Sequence, residues 1–279
     1  MFRLLNFTIT AILCCSSLFG QMEAIQVEVV GKGPDLIFLP GFACPGNVWD
    51  GLVGELRKTN TCHVVSYAGF NGIEAVDDRW LVSVKSSLEK YIIDKKIRPT
   101  LIGHSLGGSL GFWLGIDKNV DIERIISVDG LASVGALMIP NFSSDMISYD
   151  SPQNQQMLNM PDENFREMTN QMSKSMVLDS SYHDLISKWM MSSDRKTYVN
   201  GYTDLLKLDL RDDVDKINVP VSIIAAIHPY GKEMVSLTYK SQFQNLDKYD
   251  IFFAEESAHF IMFDEPIWLE EIIKSIISE

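Results

Sequence analysis

Apolar residues along this chain fall into short runs that alternate with amphipathic stretches. The first two runs, "AIQVEVV" and "DLIFLP", are separated by Gly-Lys-Gly-Pro and predict two strands joined by a turn. "NVWDGLVGELRKT" then puts Val48, Leu52 and Leu56 at helical spacing on one face. Next come a strand "CHVVSYAGF", a helix "RWLVSVKSSLEKYIIDKK", a strand "TLIGHS", a helix "LGGSLGFWLGIDK" and a strand "RIISVDG". Such alternation predicts an α/β fold, with a mostly parallel central sheet covered by helices on both faces.

The rhythm breaks between about Leu131 and Leu210, where no buried-strand run occurs. Most of the methionines gather there, among them Met157, Met160, Met168, Met172 and Met176, and the stretch reads as a helical insertion. Methionines fill apolar cores well, and they also shape adaptable pockets; both uses fit this segment. The charged runs "MSSDRKT" and "LRDDVDK" read as solvated edges and a helix-to-strand connection. Alternation resumes with "VPVSIIAAI", a helix near "GKEMVSLTYKSQF", the strand "DIFFAEE" and a terminal helix "EPIWLEEIIKSIISE". Residues 21–130 and 211–279 therefore read as one core, interrupted by an insertion over 131–210.

The first twenty residues differ from the rest. One positive charge in "MFR" precedes the mostly apolar "LLNFTITAILCCSSLFG", and "QMEA" follows, the layout of a signal peptide cut after Gly20. A membrane anchor is the rival, but the span is short and interrupted by Asn6, Thr8, Thr10, Ser16 and Ser17. Lipid attachment at Cys14 would need a small residue before it, where Leu13 stands. The expectation is export to the periplasm or beyond, with no stable membrane insertion once the leader is removed. A net charge of −13 argues against nucleic acid and anionic membranes as partners. Cys44 follows one strand and Cys62 opens its parallel neighbour, at opposite ends, so two free thiols are expected.

The strongest chemical signal is "LIGHSLGGSLG", a G-x-S-x-G run of Gly103, His104, Ser105, Leu106 and Gly107 between an apolar strand and a Gly-rich helix. A strand turning directly into a helix strains the central serine and exposes its oxygen at the helix N-terminus. Together with "LIFLPGFACPGNVW", "LDLRDDVDKINVPVSIIAA" and "ESAHFIMFDEPIWL", in that family's order, this run resembles the α/β-hydrolase fold superfamily of the lidded serine-hydrolase type. The resemblance covers nearly all of the chain after the leader. It implies Ser105 as nucleophile, His259 as base and residues 131–210 as a lid. It also implies backbone N–H groups of Leu106 and Phe42 as the oxyanion hole. Pro40 stands where the family often has a histidine, so Ala43 stays an alternative to Phe42.

The acid is less direct. The family most often carries it after the penultimate strand, but here that loop reads "AAIHPYGKE", with no aspartate and with Glu233 well into the next helix. A minority of the family places it one strand earlier, which is Asp129 after "RIISV". Asp129 could equally be a turn-forming Asp-Gly pair, and Glu255 and Glu256 are the rival acids. Of the other histidines, His63 lies within a strand and faces core or surface, His104 adjoins the nucleophile and packs structurally beside it, His183 falls in the insertion and His228 follows the penultimate strand. No metal-ligand spacing or phosphate-binding loop is visible, and no cofactor is expected.

The resemblance implies a serine hydrolase that cleaves an ester-like bond of a small or medium apolar substrate through an acyl-enzyme, and the leader adds the expectation of export. The same scaffold supports C–C hydrolysis, peptide cleavage and cofactor-free oxygenase or lyase chemistry. The unusual "AAIHPYGKE" loop also admits a binding protein that kept the fold and lost the reaction. If His259 is the base, turnover falls as pH drops below roughly 6 to 7, since imidazolium cannot accept a proton. A pH–rate profile that stays flat into acid would remove His259 from that role.

Overall fold

The computed structural model describes residues 24–76 and 79–278; the leader-like segment 1–20 lies outside the described residues. Seven strands form one sheet: β1 (Ile25–Gly31), β2 (Asp35–Leu39), β3 (Thr61–Tyr67), β4 (Thr100–His104), β5 (Arg124–Val128), β6 (Val221–Ala226) and β7 (Asp250–Ala254). Their order across the sheet is β1-β3-β2-β4-β5-β6-β7, with only β1 antiparallel to its neighbour. The central strands match the expectation from their apolar runs: β4 and β6 are buried along their whole length. In the edge strand β1 only Ile25 is buried and the rest are half-buried or exposed, as fits a strand at the rim of the sheet.

Helices α1 (Asp50–Leu56), α2 (Trp80–Lys95) and α3 (Leu106–Ile116) make the first crossovers. The stretch expected as one helix from Asn47 begins instead as a 3-10 turn, Gly46–Trp49, before α1. Between β5 and β6 run α4 (Val134–Met138), α5 (Pro152–Leu158), α6 (Asp162–Met176), α7 (His183–Met191) and α8 (Arg195–Lys207). After β6 come α9 (Lys232–Gln242), then, beyond β7, the short α10 (Ile261–Asp264) and α11 (Pro266–Ile277). Right-handed crossovers put α1 on one face of the sheet and α2 and α3 on the other, and α1 packs against α11 while α2 packs against α3. No helix among the described residues is long and apolar enough to cross a membrane.

The insertion is helical because its apolar positions recur at helical spacing, and Met157, Met160, Met168, Met172 and Met176 pack half-buried against the core. "MSSDRKT" is exposed at Ser192, Asp194 and Lys196, as its polarity suggests, but it also ties the insertion down. Asp194 caps α8 through the Thr197 amide at 2.8 Å, and its own N–H donates to the Gly69 carbonyl at 2.7 Å. Arg195 reaches the carbonyls of Met157 and Met160 and lies 3.8 Å from the Phe165 ring centre. Its guanidinium thus finds both backbone acceptors and an aromatic face, which polarity alone does not reveal.

Cys44 and Cys62 are free and buried. Leu36 faces Cys62 across the β2–β3 pair, so Cys44 lies past the far end of β2. Phe38, fully buried at the centre of the sheet, sets a scale for the core. Phe38→Ala should lower unfolding free energy by about 3–5 kcal/mol in urea titrations. Val29→Ala, at a half-exposed edge position, should change it by less than about 0.5 kcal/mol.

Candidate active site

Parallel strands deliver their carboxyl ends to one edge of the sheet, and the chemistry-bearing residues follow directly from those ends. Ser105 follows β4, Asp129 follows β5, and His259 lies five residues beyond the end of β7. Ser105 has φ 53° and ψ −115°, a strained conformation for a residue with a side chain. Its N–H donates to the Val128 carbonyl at 2.9 Å, fastening the turn to the next strand. The turn is tight because Gly103 and Gly107 leave room for it. A Cβ on Gly103 would lie 2.2 Å from the Gly107 carbonyl group, and one on Gly107 would lie 2.2 Å from the Leu39 oxygen.

The loop after β2 closes on the same place. A Cβ on Gly41 would stand 2.7 Å from His104 Nδ1 and 3.4 Å from Ser105 Cβ, so the backbone leading into Phe42 passes beside the serine. Leu106 opens α3, and its amide belongs to the first turn, where no intrahelical carbonyl is available. The Phe42 ring is set by edge contacts with Phe70 at 5.0 Å, Trp80 at 6.0 Å and Tyr198 at 5.3 Å between ring centres. Tyr198 belongs to α8, so the insertion covers this loop. Cys44, two residues on, is buried, and burial pushes its thiol up to about 12, which leaves no thiolate to compete as a nucleophile.

Asp129 and His259 meet: Nδ1 donates to Asp129 Oδ2 at 2.6 Å. A carboxylate only accepts, so the imidazole proton sits on Nδ1 and Nε2 keeps its lone pair. The other carboxylate oxygen accepts from the Ala226 amide at 3.1 Å and from the Tyr239 hydroxyl at 3.2 Å. Burial, followed by the Asp129 charge, holds the Tyr239 phenol well above its usual range, so it remains a donor. The rival acids take no part in this contact. Glu255 is an exposed residue paired with Lys232 at 2.8 Å, and Glu256 is exposed.

The remaining histidines take other places. His63 is buried between Asp35 (2.9 Å) and Tyr91 (2.7 Å), with Asp35 opening β2 at the opposite edge of the sheet. His183 bonds the Val177 carbonyl, and His228 is exposed. Among the described residues, no group of three or more His, Cys, Asp or Glu could hold a metal ion. Sequence reasoning passed over Tyr239, which supports Asp129 from 110 residues away; nothing in "SLTYKSQ" marks it beyond its place on a helix face.

His104 is buried beside His259, its Nε2 donating to the His259 carbonyl at 3.0 Å and its ring 4.6 Å away from the neighbouring imidazole. Burial, and secondarily the charge that His259 can carry, hold His104 well below the usual histidine range. The native state therefore keeps it neutral while the unfolded chain takes up a proton below about pH 6.5. The unfolded state then binds more protons, so stability falls as pH drops through that value. In wild type, His104 contributes up to about 1.4 kcal/mol per pH unit to that fall. His104→Gln should flatten the stability curve between about pH 6.5 and 5 in denaturant titrations.

Residues 36–272 match the model of the Alpha/beta hydrolase family. A pimeloyl-[acyl-carrier protein] methyl ester esterase from Nitrosomonas europaea is 31% identical over 107 residues, 38% of this chain and 41% of that protein. Its counterpart from Aeromonas salmonicida is 30% identical over 105 residues, with the same shares. The chain thus matches about two fifths of the length of these relatives. Among solved structures, the enol-lactonase from Burkholderia xenovorans superposes with a TM-score of 0.76 at 15% identity, over 91% of this chain and 96% of that one. An esterase from Exiguobacterium antarcticum gives 0.75 at 16% identity, over 91% and 96%. With the family model spanning nearly the whole described chain and the fold shared end to end, the chain belongs to the alpha/beta hydrolase family.

Proposed function

We propose that this chain hydrolyses an ester-like bond of a small or medium apolar substrate through an acyl-enzyme on Ser105. The observation that supports this most is the 2.6 Å hydrogen bond from His259 Nδ1 to Asp129, made at the sheet edge where Ser105 stands in its strained turn. Free Nε2 takes the Ser105 proton as Oγ attacks the carbonyl carbon. The amides of Phe42 and Leu106 stabilise the resulting oxyanion. Collapse expels the alcohol oxygen, which receives the proton from His259 and leaves the acyl group on Ser105. Water then gives a proton to Nε2 and attacks the acyl carbon; Ser105 leaves with that proton and the free acid departs. Asp129 holds the imidazole tautomer and stabilises the imidazolium in both halves.

Two partial relatives are named for methyl ester cleavage, which favours an ester over a C–C or peptide bond. The helices between β5 and β6 act as the lid, and the aromatic face around Phe42, with Tyr198 and Tyr202, suits an apolar substrate. Ser105→Ala should abolish both turnover of aryl esters and labelling by a fluorophosphonate probe. Labelling that persists in that variant would move the nucleophile elsewhere. Asp129→Asn should lower kcat by about 10³–10⁴-fold. Full activity in Asp129→Asn would exclude it as the acid, and a wild type inert to both esters and probe would favour a binding protein.

A further inference from the structure

The backbone around His259 is held from three directions. The Ala258 N–H, just before it, donates to Asp264 Oδ2 at 2.9 Å. The Phe260 N–H, just after it, donates to the Met176 carbonyl at 3.0 Å. The His259 carbonyl itself accepts from His104 Nε2. Met176 ends α6 in the insertion, and the chain beyond it returns to the same carboxylate. Leu178 N–H donates to Asp264 Oδ1 at 2.9 Å and Asp179 N–H to the same oxygen at 3.0 Å. Both amides flanking His259 are therefore fastened to residues 176–179, one directly and the other through Asp264.

Packing runs along the same seam. The Phe260 and Phe263 rings lie nearly parallel with centres 5.6 Å apart, and Phe263 stacks on Tyr182 of the insertion at 4.1 Å. The short turn of α10 brings Asp264 back under the loop that carries His259, and this return allows one carboxylate to serve two segments. Oδ1 serves the insertion alone, while Oδ2 serves the histidine loop and also takes a longer bond from the Leu178 N–H at 3.2 Å.

We propose that Asp264 is a positioning residue that makes the placement of the His259 imidazole depend on the insertion segment Met176–Asp179. The proposal rests on the reading of His259 as the base. Asp264 acts through Ala258 and touches no reacting atom. An opening of the insertion that admits substrate must leave this seam closed, because lifting residues 176–179 would release both amides that hold the base loop. A carboxylate is needed because two segments present N–H donors to it. An amide in its place has one acceptor oxygen, and its NH₂ would face a donor.

The test uses the full chain with Asp264→Asn, Asp264→Ala and Asp264→Glu. Four quantities are measured: kcat and KM on an aryl ester, fluorophosphonate labelling rate, melting temperature and the NMR signal of the His259 Nδ1 proton. For Asp264→Asn, which is nearly isosteric, kcat should fall roughly tenfold to hundredfold. KM should stay within about twofold, labelling should slow with kcat, and melting should change little. The Nδ1 proton signal should shift or broaden, Asp264→Ala should lose at least as much activity, and Asp264→Glu should recover most of it. Wild-type kcat and an unmoved proton signal in Asp264→Asn would overturn the proposal. So would losses that only follow melting temperature, with Asp264→Glu no better than Asp264→Ala. If His259→Ala keeps full turnover, the base reading fails by itself; the proton signal still reports whether Asp264 sets the imidazole.

Discussion

A carboxylate at the end of a buried strand has to be partnered, and the groups that partner Asp129 come from three separate parts of the chain. The Ala226 amide ends β6, the Tyr239 hydroxyl projects from α9, and His259 Nδ1 arrives from the loop beyond β7. Each of those elements is held in the sheet or against it by apolar burial, so the hydrogen bonds need no further ordering of the chain. The Asp129 backbone adds its own tie, its N–H donating to the Ile224 carbonyl at 2.7 Å. Loss of the carboxylate would strand a buried phenol and leave the imidazole with no acceptor to fix its tautomer.

Strain at the serine follows from the same edge. A chain that passes from a buried strand into a helix without a loop must reverse within one residue, and Ser105 takes the unfavourable torsions. The penalty, on the order of 1–3 kcal/mol, is offset by close packing of backbone on backbone. That closeness exists because Gly103 and Gly107 carry no Cβ. Strain and packing therefore belong to one feature, and the fold cannot relax one without loosening the other.

What could be read in the sequence was what has a local period. The apolar runs of β2, β4, β5 and β6 and the G-x-S-x-G turn are contiguous, and their chemistry is visible in a dozen residues. Asp129 was legible by elimination, because "AAIHPYGKE" carries no aspartate in the place where the resemblance led one to look. Tyr239 and Asp264 were not legible in their structural roles; the packing of His104 beside the serine turn was, but not its bond to the His259 carbonyl. Their hydrogen bonds span from 6 to 155 residues, and a lone Tyr or Asp on a short helix carries no spacing that announces a partner. "MSSDRKT" shows the same limit: its exposure follows from its polarity, but the tie from Asp194 to Gly69 and the guanidinium with backbone acceptors depend on distant segments.

The position of Asp129 leaves the loop after β6 a different part to play. Asp129 follows β5, between the strand that leads to Ser105 and the two that lead toward His259, so its carboxylate reaches His259 without an acidic residue from β6. That loop supports the histidine loop mainly by backbone: Ile227 N–H donates to the Ala254 carbonyl at 3.2 Å and His228 N–H to the Ser257 carbonyl at 3.1 Å. His259 is consequently held to the sheet through its side chain and through Ser257, and to the insertion through the amides on either side of it. A residue fixed both to the sheet and to the insertion has little freedom to move with either, so the imidazole keeps one position relative to the sheet edge where Ser105 stands.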